Sequence, residues 1–81
     1  LHRIVGGRVE ALEFSAGYCP GLTGIPLKDL RTRKNLLIAC IIRGRQTIYP
    51  GGNDAIEEGD SVVVVTTEHQ LKDLRDILEP A

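Results

Sequence analysis

The chain has 81 residues, with 10 basic and 11 acidic side chains and a formal net charge of −1, a balance that excludes a globally basic nucleic-acid binder and an acidic solvating tail. Apolar residues make up 42% of it, well above a disordered composition, while the longest apolar run, residues 36–42, is far short of the ~20 residues that cross a bilayer as a helix. The expectation is one small, soluble, folded domain with little core to spare; lacking both methionine and a secretory leader pattern, it reads as a piece of a longer cytoplasmic protein.

In chain order, residues 1–7 end in Gly6-Gly7 and show no periodicity, so they read as a lead-in segment or interdomain linker, and residues 8–81 as the domain. Residues 8–14 read as a first strand whose frequent polar positions place it at a sheet edge. Residues 17–24, glycine-rich and broken by Pro20, are loop. Pro26 suits the first turn of a short helix over 26–31, with Leu27 and Leu30 on one face. Residues 36–43 form an apolar run of strand length; Gly44-Arg45 turns it into a second strand over 46–49, a β-hairpin. After a break at Pro50-Gly51-Gly52-Asn53, the turn Glu58-Gly59-Asp60 opens a strand over 61–66 with four successive valines. Thr67 then reads as the N-cap of a final helix, with Gln70 at capping-box spacing, an i,i+4 pair Glu68/Lys72, and Leu71, Leu74, Ile77 and Leu78 at helical intervals up to Pro80. The fold class expected is α+β: a β-α-β-β-β-α sandwich with a mostly antiparallel four-stranded sheet.

The strands over 36–42 and 62–65 are apolar at both parities, whereas a sheet covered on one face alternates. One helix of about eleven residues and one short turn can roof only one face of four strands spaced ~4.8 Å apart. The other face calls for a second polypeptide, and the chain is expected to be a homodimer, with Leu36, Leu37, Ile38 and Ile41 in the interface. The competing expectation is that the long loops over 15–24 and 50–60 fold back as cover.

Chemistry-bearing motifs are sparse. The two halves differ in charge: residues 1–45 carry eight basic and three acidic side chains, residues 46–81 two basic and eight acidic. Folding can interleave them into a mixed surface; the sharper reading is a basic pocket for a small anion made from Arg31, Arg33, Lys34, Arg43 and Arg45. Cys19 and Cys40 lack the spacing of a zinc or redox pair. Gly21-Leu22-Thr23-Gly24 matches the G-x-x-G of a KH module, which keeps a small nucleic-acid-binding domain as the alternative, although a structural turn is the better reading because the loop holds no basic residue and follows a strand. Asp54, Glu57, Glu58 and Asp60 form a solubilising turn rather than a cation loop. His2 and His69 have no partner at ligand spacing, and no nucleophile has an evident base, so no metal, no catalytic residue and no enzyme is expected.

The segments Gly24-Ile25-Pro26-Leu27-Lys28-Asp29-Leu30, 35–43, 50–56 and 58–65, taken in that order, resemble the TrkA-C (RCK-C) domain, the regulatory module of bacterial potassium-uptake proteins. The likeness runs from about Val9 to Leu78. It implies a cytoplasmic, non-enzymatic domain, peripheral to the inner face of the membrane, that dimerises and works with a membrane potassium-transporter subunit, after a Rossmann-like nucleotide-binding domain in the parent chain. It implies no cofactor in this domain beyond a regulatory nucleotide, cyclic di-AMP or another, and no nucleic-acid partner. In relatives that bind cyclic di-AMP, an arginine after the first helix and a proline after the hairpin line the site; Arg33 or Arg31, and Pro50, occupy comparable places. Arg31, Arg33, Arg43 and Pro50 are therefore the candidate ligand residues. The neighbouring strand asparagine of those relatives is Leu37 here.

Overall fold

The computed structural model describes residues 8–67 and 71–80 in full, and residues 2–6 by their backbone. Its strands are β1 (His2–Gly6), β2 (Val9–Ser15), β3 (Leu36–Arg43), β4 (Gln46–Ile48) and β5 (Ser61–Thr66), with 3₁₀ turns at Leu27–Asp29 and Leu74–Ile77. They form one sheet in the order β1-β2-β5-β3-β4, with every neighbouring pair antiparallel. Four of these strands fall where they were expected. The fifth, β1, corrects the reading of residues 1–7 as a lead-in or linker: His2–Gly6 pairs along β2, and β2 is therefore an interior strand rather than an edge. Its polar residues mislead because Glu10, although charged, is buried on the same face as Leu12 and Phe14, while Glu13 and Ser15 fall on the other.

Register explains which side chains are buried. Leu12 and Phe14 lie opposite Val64 and Val62, and Ile41 also faces Val62, past an irregularity between Ile38 and Cys40. Directly opposed residues share a face, so these five side chains form one apolar surface, and all are buried. The bulge at Ala39 shifts the parity of β3, so that Leu36, Ile38 and Ile41 all point to this side although one and then two residues separate them.

What covers this face is loop rather than helix. The helix expected over 67–80 is, in the described residues, only the 3₁₀ turn Leu74–Ile77, started by a reciprocal cap between Asp73 and Asp76; the expected cap partner Gln70 and the residue Glu68 of the expected ion pair lie outside the described residues. Leu71, Leu74 and Ile77 are nonetheless buried, because the same apolar residues can seal a core from an irregular segment. The helix expected over 26–31 is likewise a single 3₁₀ turn. Loop segments complete the layer. Ala16 exchanges backbone hydrogen bonds with residues 59–60, Gly24 N–H donates to Ile56 C=O, Leu27 N–H to Asp54 C=O and Lys28 N–H to Gly52 C=O. Leu22 and Ile56, both fully buried, plug the core from these two loops. The G-x-x-G segment is thus a structural turn. Gly21 and Gly24 take positive φ (86° and 78°), the left-handed region that glycine enters without strain, and Thr23 Oγ1 donates to Cys19 C=O. The architecture is an antiparallel sheet under an irregular layer, and among the described residues no α-helix takes part.

Among the described residues the opposite face has no such cover. Ala11, Val65 and Leu37 share it, as do Glu13, Val63 and Cys40; Leu37 is 64% exposed and Val9, at its margin, 43%. Long loops do cover one face, but they leave the other open.

A cavity beside the open edge of β3

Strand β4 pairs with β3 only from Ile41 to Arg43. Over residues 36–38 the edge of β3 that points away from β5 has no strand beside it among the described residues. A cavity of about 300 Å³ lies there, lined by Leu27, Lys28, Thr32, Leu36–Ile38 and Pro50–Gly52. Its walls are positioned by backbone. Lys28 N–H donates to Gly52 C=O at 3.0 Å, and Asp54 accepts from Gly51 N–H at 2.7 Å, closing the turn after Pro50. Thr32 is held by an antiparallel bridge to Leu78. The lining is mainly apolar, and Lys28 is its one basic residue, with Thr32 as a further polar side chain. Such a lining suits a small ligand with an apolar body and an anionic group.

The sequence-derived ligand residues distribute unequally. Pro50 lines this cavity. Arg43 does not reach it. Its Nε and Nη2 donate to the two carboxylate oxygens of Asp60, each at 2.9 Å, and Nη2 also donates to Ala55 C=O. Asp60 is 1% exposed and accepts Glu57 N–H at 2.8 Å. The hydrogen bond from Arg43 holds the Asp60 carboxyl below its usual pKa, against burial and with help from the Glu57 N–H, and the same bond raises Arg43. A bidentate guanidinium–carboxylate pair of this kind is a fastener between β3 and the 50–60 loop, which gives Arg43 a structural role in the fold. Arg33 is turned the other way: its N–H donates to Ile77 C=O and its Nε to Asp76 C=O at 2.6 Å. Arg31 is exposed and its carbonyl accepts Glu79 N–H. None of the five residues of the expected basic pocket lines this cavity. Lys28 and Thr32, which do, carried no signal in the sequence: a lysine in a short turn is unremarkable until the loop from Pro50 is laid against it.

The residues placed at a dimer interface separate in the same manner. Leu37 faces outward on the open face. Leu36 and Ile38 are half-buried and pack against the core. Ile41 is fully buried within its own chain and cannot meet a partner, because the bulge at Ala39 turns it inward. Residues that do share the open face with Leu37 are Ala11, Glu13, Cys40, Val63 and Val65.

Residues 12–79 match the sequence profile of the TrkA-C domain. The Trk system potassium uptake protein TrkA homolog 1 of Methanosarcina mazei is 38% identical over 64 residues, 79% of this chain and 14% of that protein. The TrkA homolog 2 of the same organism is 29% identical over 72 residues, 89% of this chain and 16% of its own length. The Trk system potassium uptake protein TrkA homolog of Archaeoglobus fulgidus is 29% identical over 75 residues, 93% of this chain and 17% of that protein. The chain thus spans less than a fifth of the length of these relatives. No helix among the described residues is long and apolar enough to cross a membrane.

Proposed function

The chain belongs to the TrkA-C domain family, and we propose that it is a non-enzymatic regulatory and dimerisation domain of a potassium-uptake system. Two copies associate through the open sheet face, and a small anionic ligand occupies the cavity beside β3. The observation that carries this reading is the position of Leu37, which belongs both to the open face and to the cavity wall. A ligand seated against Leu37 changes the surface that a second copy meets, so it has different affinities for different arrangements of the pair, the physical requirement for regulation by a population shift. Burying an exposed Leu or Val gains ~1.5–3 kcal/mol, so a handful of the open-face residues offsets the several kcal/mol lost on association.

In this reading the parent protein carries a preceding Rossmann-like nucleotide-binding domain, sits on the cytoplasmic side of the membrane, and transmits the state of the dimer to a membrane potassium-transporter subunit. The ligand is a regulatory nucleotide, with cyclic di-AMP the first to test; Lys28 supplies the charge and Pro50 a flat apolar wall. The nucleic-acid alternative loses its support with the G-x-x-G segment, whose Leu22 is fully buried.

The test is sedimentation of the 81-residue chain with and without ligand, paired with isothermal titration against cyclic di-AMP, ATP, ADP and magnesium. A dimer whose dissociation constant shifts on adding one of these supports the proposal. A compact monomer at high micromolar concentration that binds none of them overturns it.

A further inference from the structure

A second cavity lies on the side of the domain to which Arg33 turns. Its volume is about 490 Å³ and its lining is Pro20, Gly21, Arg33, Arg75, Asp76, Leu78, Glu79 and Pro80. We propose that this groove binds a phosphoryl group, with Arg33 and Arg75 as the two guanidinium ligands.

The two arginines come from different parts of the chain and are held by fold contacts that leave donors over. Arg33 Nε is fixed on Asp76 C=O at 2.6 Å. Arg75 Nη2 donates to Cys19 Sγ at 3.1 Å and to Pro20 C=O at 3.3 Å. A guanidinium carries five N–H donors, so each retains several after these contacts. None of the contacts is to a carboxylate; the acids nearby meet these charges without a direct ion pair, Asp73 acting on Arg75 from a distance and Asp76 and Glu79 sharing the lining. Fixing part of each guanidinium also lowers the ordering cost of binding a ligand with the rest.

Two acids share the lining, and they are not equivalent. Asp76 directs one carboxylate oxygen at the N–H groups of Lys72 and Asp73, at 2.9 and 3.1 Å, which ties it to the 3₁₀ turn. Glu79 is exposed and free to swing into water. The groove therefore offers two cations, one committed acid and one acid that can retreat. Phosphate suits this arrangement: it accepts from planar guanidinium forks in pairs and carries more than one negative charge. The volume falls within the ~300–1,000 Å³ range of small-molecule sites.

The experiment is a titration of the 81-residue chain with inorganic pyrophosphate, followed by backbone amide shifts, with citrate as a carboxylate control. Pyrophosphate is expected to move the amides of Gly21, Arg33, Arg75 and Leu78 while leaving those of Lys28 and Gly51, in the other cavity, unchanged. Arg75→Gln, on an exposed side chain, is expected to weaken binding by about tenfold, and Glu79→Gln to strengthen it by about two- to threefold. Arg33→Lys keeps the charge but loses the fork; because Arg33 also ties down the last turn, its melting curve is recorded alongside. Shifts confined to the Lys28 cavity, equal binding by the parent and Arg75→Gln, or tighter binding of citrate than of pyrophosphate would each overturn the proposal.

Discussion

Replacing Asp60 with asparagine tests the fastener between β3 and the loop that builds the cavity wall. The Asp60 carboxylate accepts three hydrogen bonds, two from Arg43 at 2.9 Å and one from Glu57 N–H at 2.8 Å, while only 1% exposed. Asparagine keeps the shape but presents an NH₂ where an acceptor stood, so one donor meets another donor. A hydrogen bond to a charged group contributes ~1.5–3 kcal/mol. The Arg43 side chain is 42% exposed and can turn to water, which keeps the loss below the ~3–5 kcal/mol of truncating a fully buried pair. The expected cost is about 2–3 kcal/mol, out of the ~4–12 kcal/mol typical of a domain this size, and a fall in Tm of about 10–20 °C.

The same pair sets an acid limb. Folding holds the Asp60 carboxyl below its ordinary value, so the unfolded chain takes up its proton first. The stabilisation is complete above the unfolded pKa of about 4 and is lost as pH falls through the lower folded value. Urea unfolding followed by circular dichroism at pH 7 and between pH 5 and 2.5 measures both effects. Asp60→Asn should show a lower midpoint at pH 7 and a flatter loss of stability in acid. A variant within 0.5 kcal/mol of the parent at pH 7, or one with an unchanged acid limb, would refute the reasoning.

Leu22→Ala removes a fully buried plug and is expected to cost about 2–5 kcal/mol by thermal melting; a change under 1 kcal/mol would mean that the loop does not seal the core. Leu37→Glu, on a residue 64% exposed in a single chain, should leave the melting curve of the monomer nearly unchanged while raising the dimer dissociation constant at least about tenfold by sedimentation; an unaltered constant would move the interface elsewhere. Gly44 sits at φ 61° in the two-residue turn between β3 and β4, with nothing within 4 Å of a built Cβ, the pattern of a type II′ turn. Gly44→Val is expected to cost about 1–2 kcal/mol from backbone strain alone, and Gly44→Asn distinctly less; equal losses for both would point to contact rather than conformation.

Hydrophobic patterning was enough to locate β3, β4 and β5, because an apolar run bounded by glycine turns leaves the backbone few alternatives to a paired strand. It also carried the inference that one face of the sheet lacks cover, since β5 is apolar at both parities whatever lies above it. Periodicity at 71, 74, 77 and 78 marked which residues are buried but not the conformation that buries them: the spacing fits a helix and an irregular segment equally, and packing on the sheet decided. Nothing local in His2–Gly6 predicts β1, whose pairing depends on β2 lying alongside. The bulge at Ala39 is likewise invisible in a uniform apolar run, yet it decides that Ile41 joins the core and Leu37 the open face. Charge told least. Arg43 went to Asp60, Arg31 to solvent and Arg33 to the last turn and the second cavity, which Arg75 also lines, while Lys28 lines the first. A side chain's partner is fixed by where distant backbone segments cross, and that is a property of the folded chain.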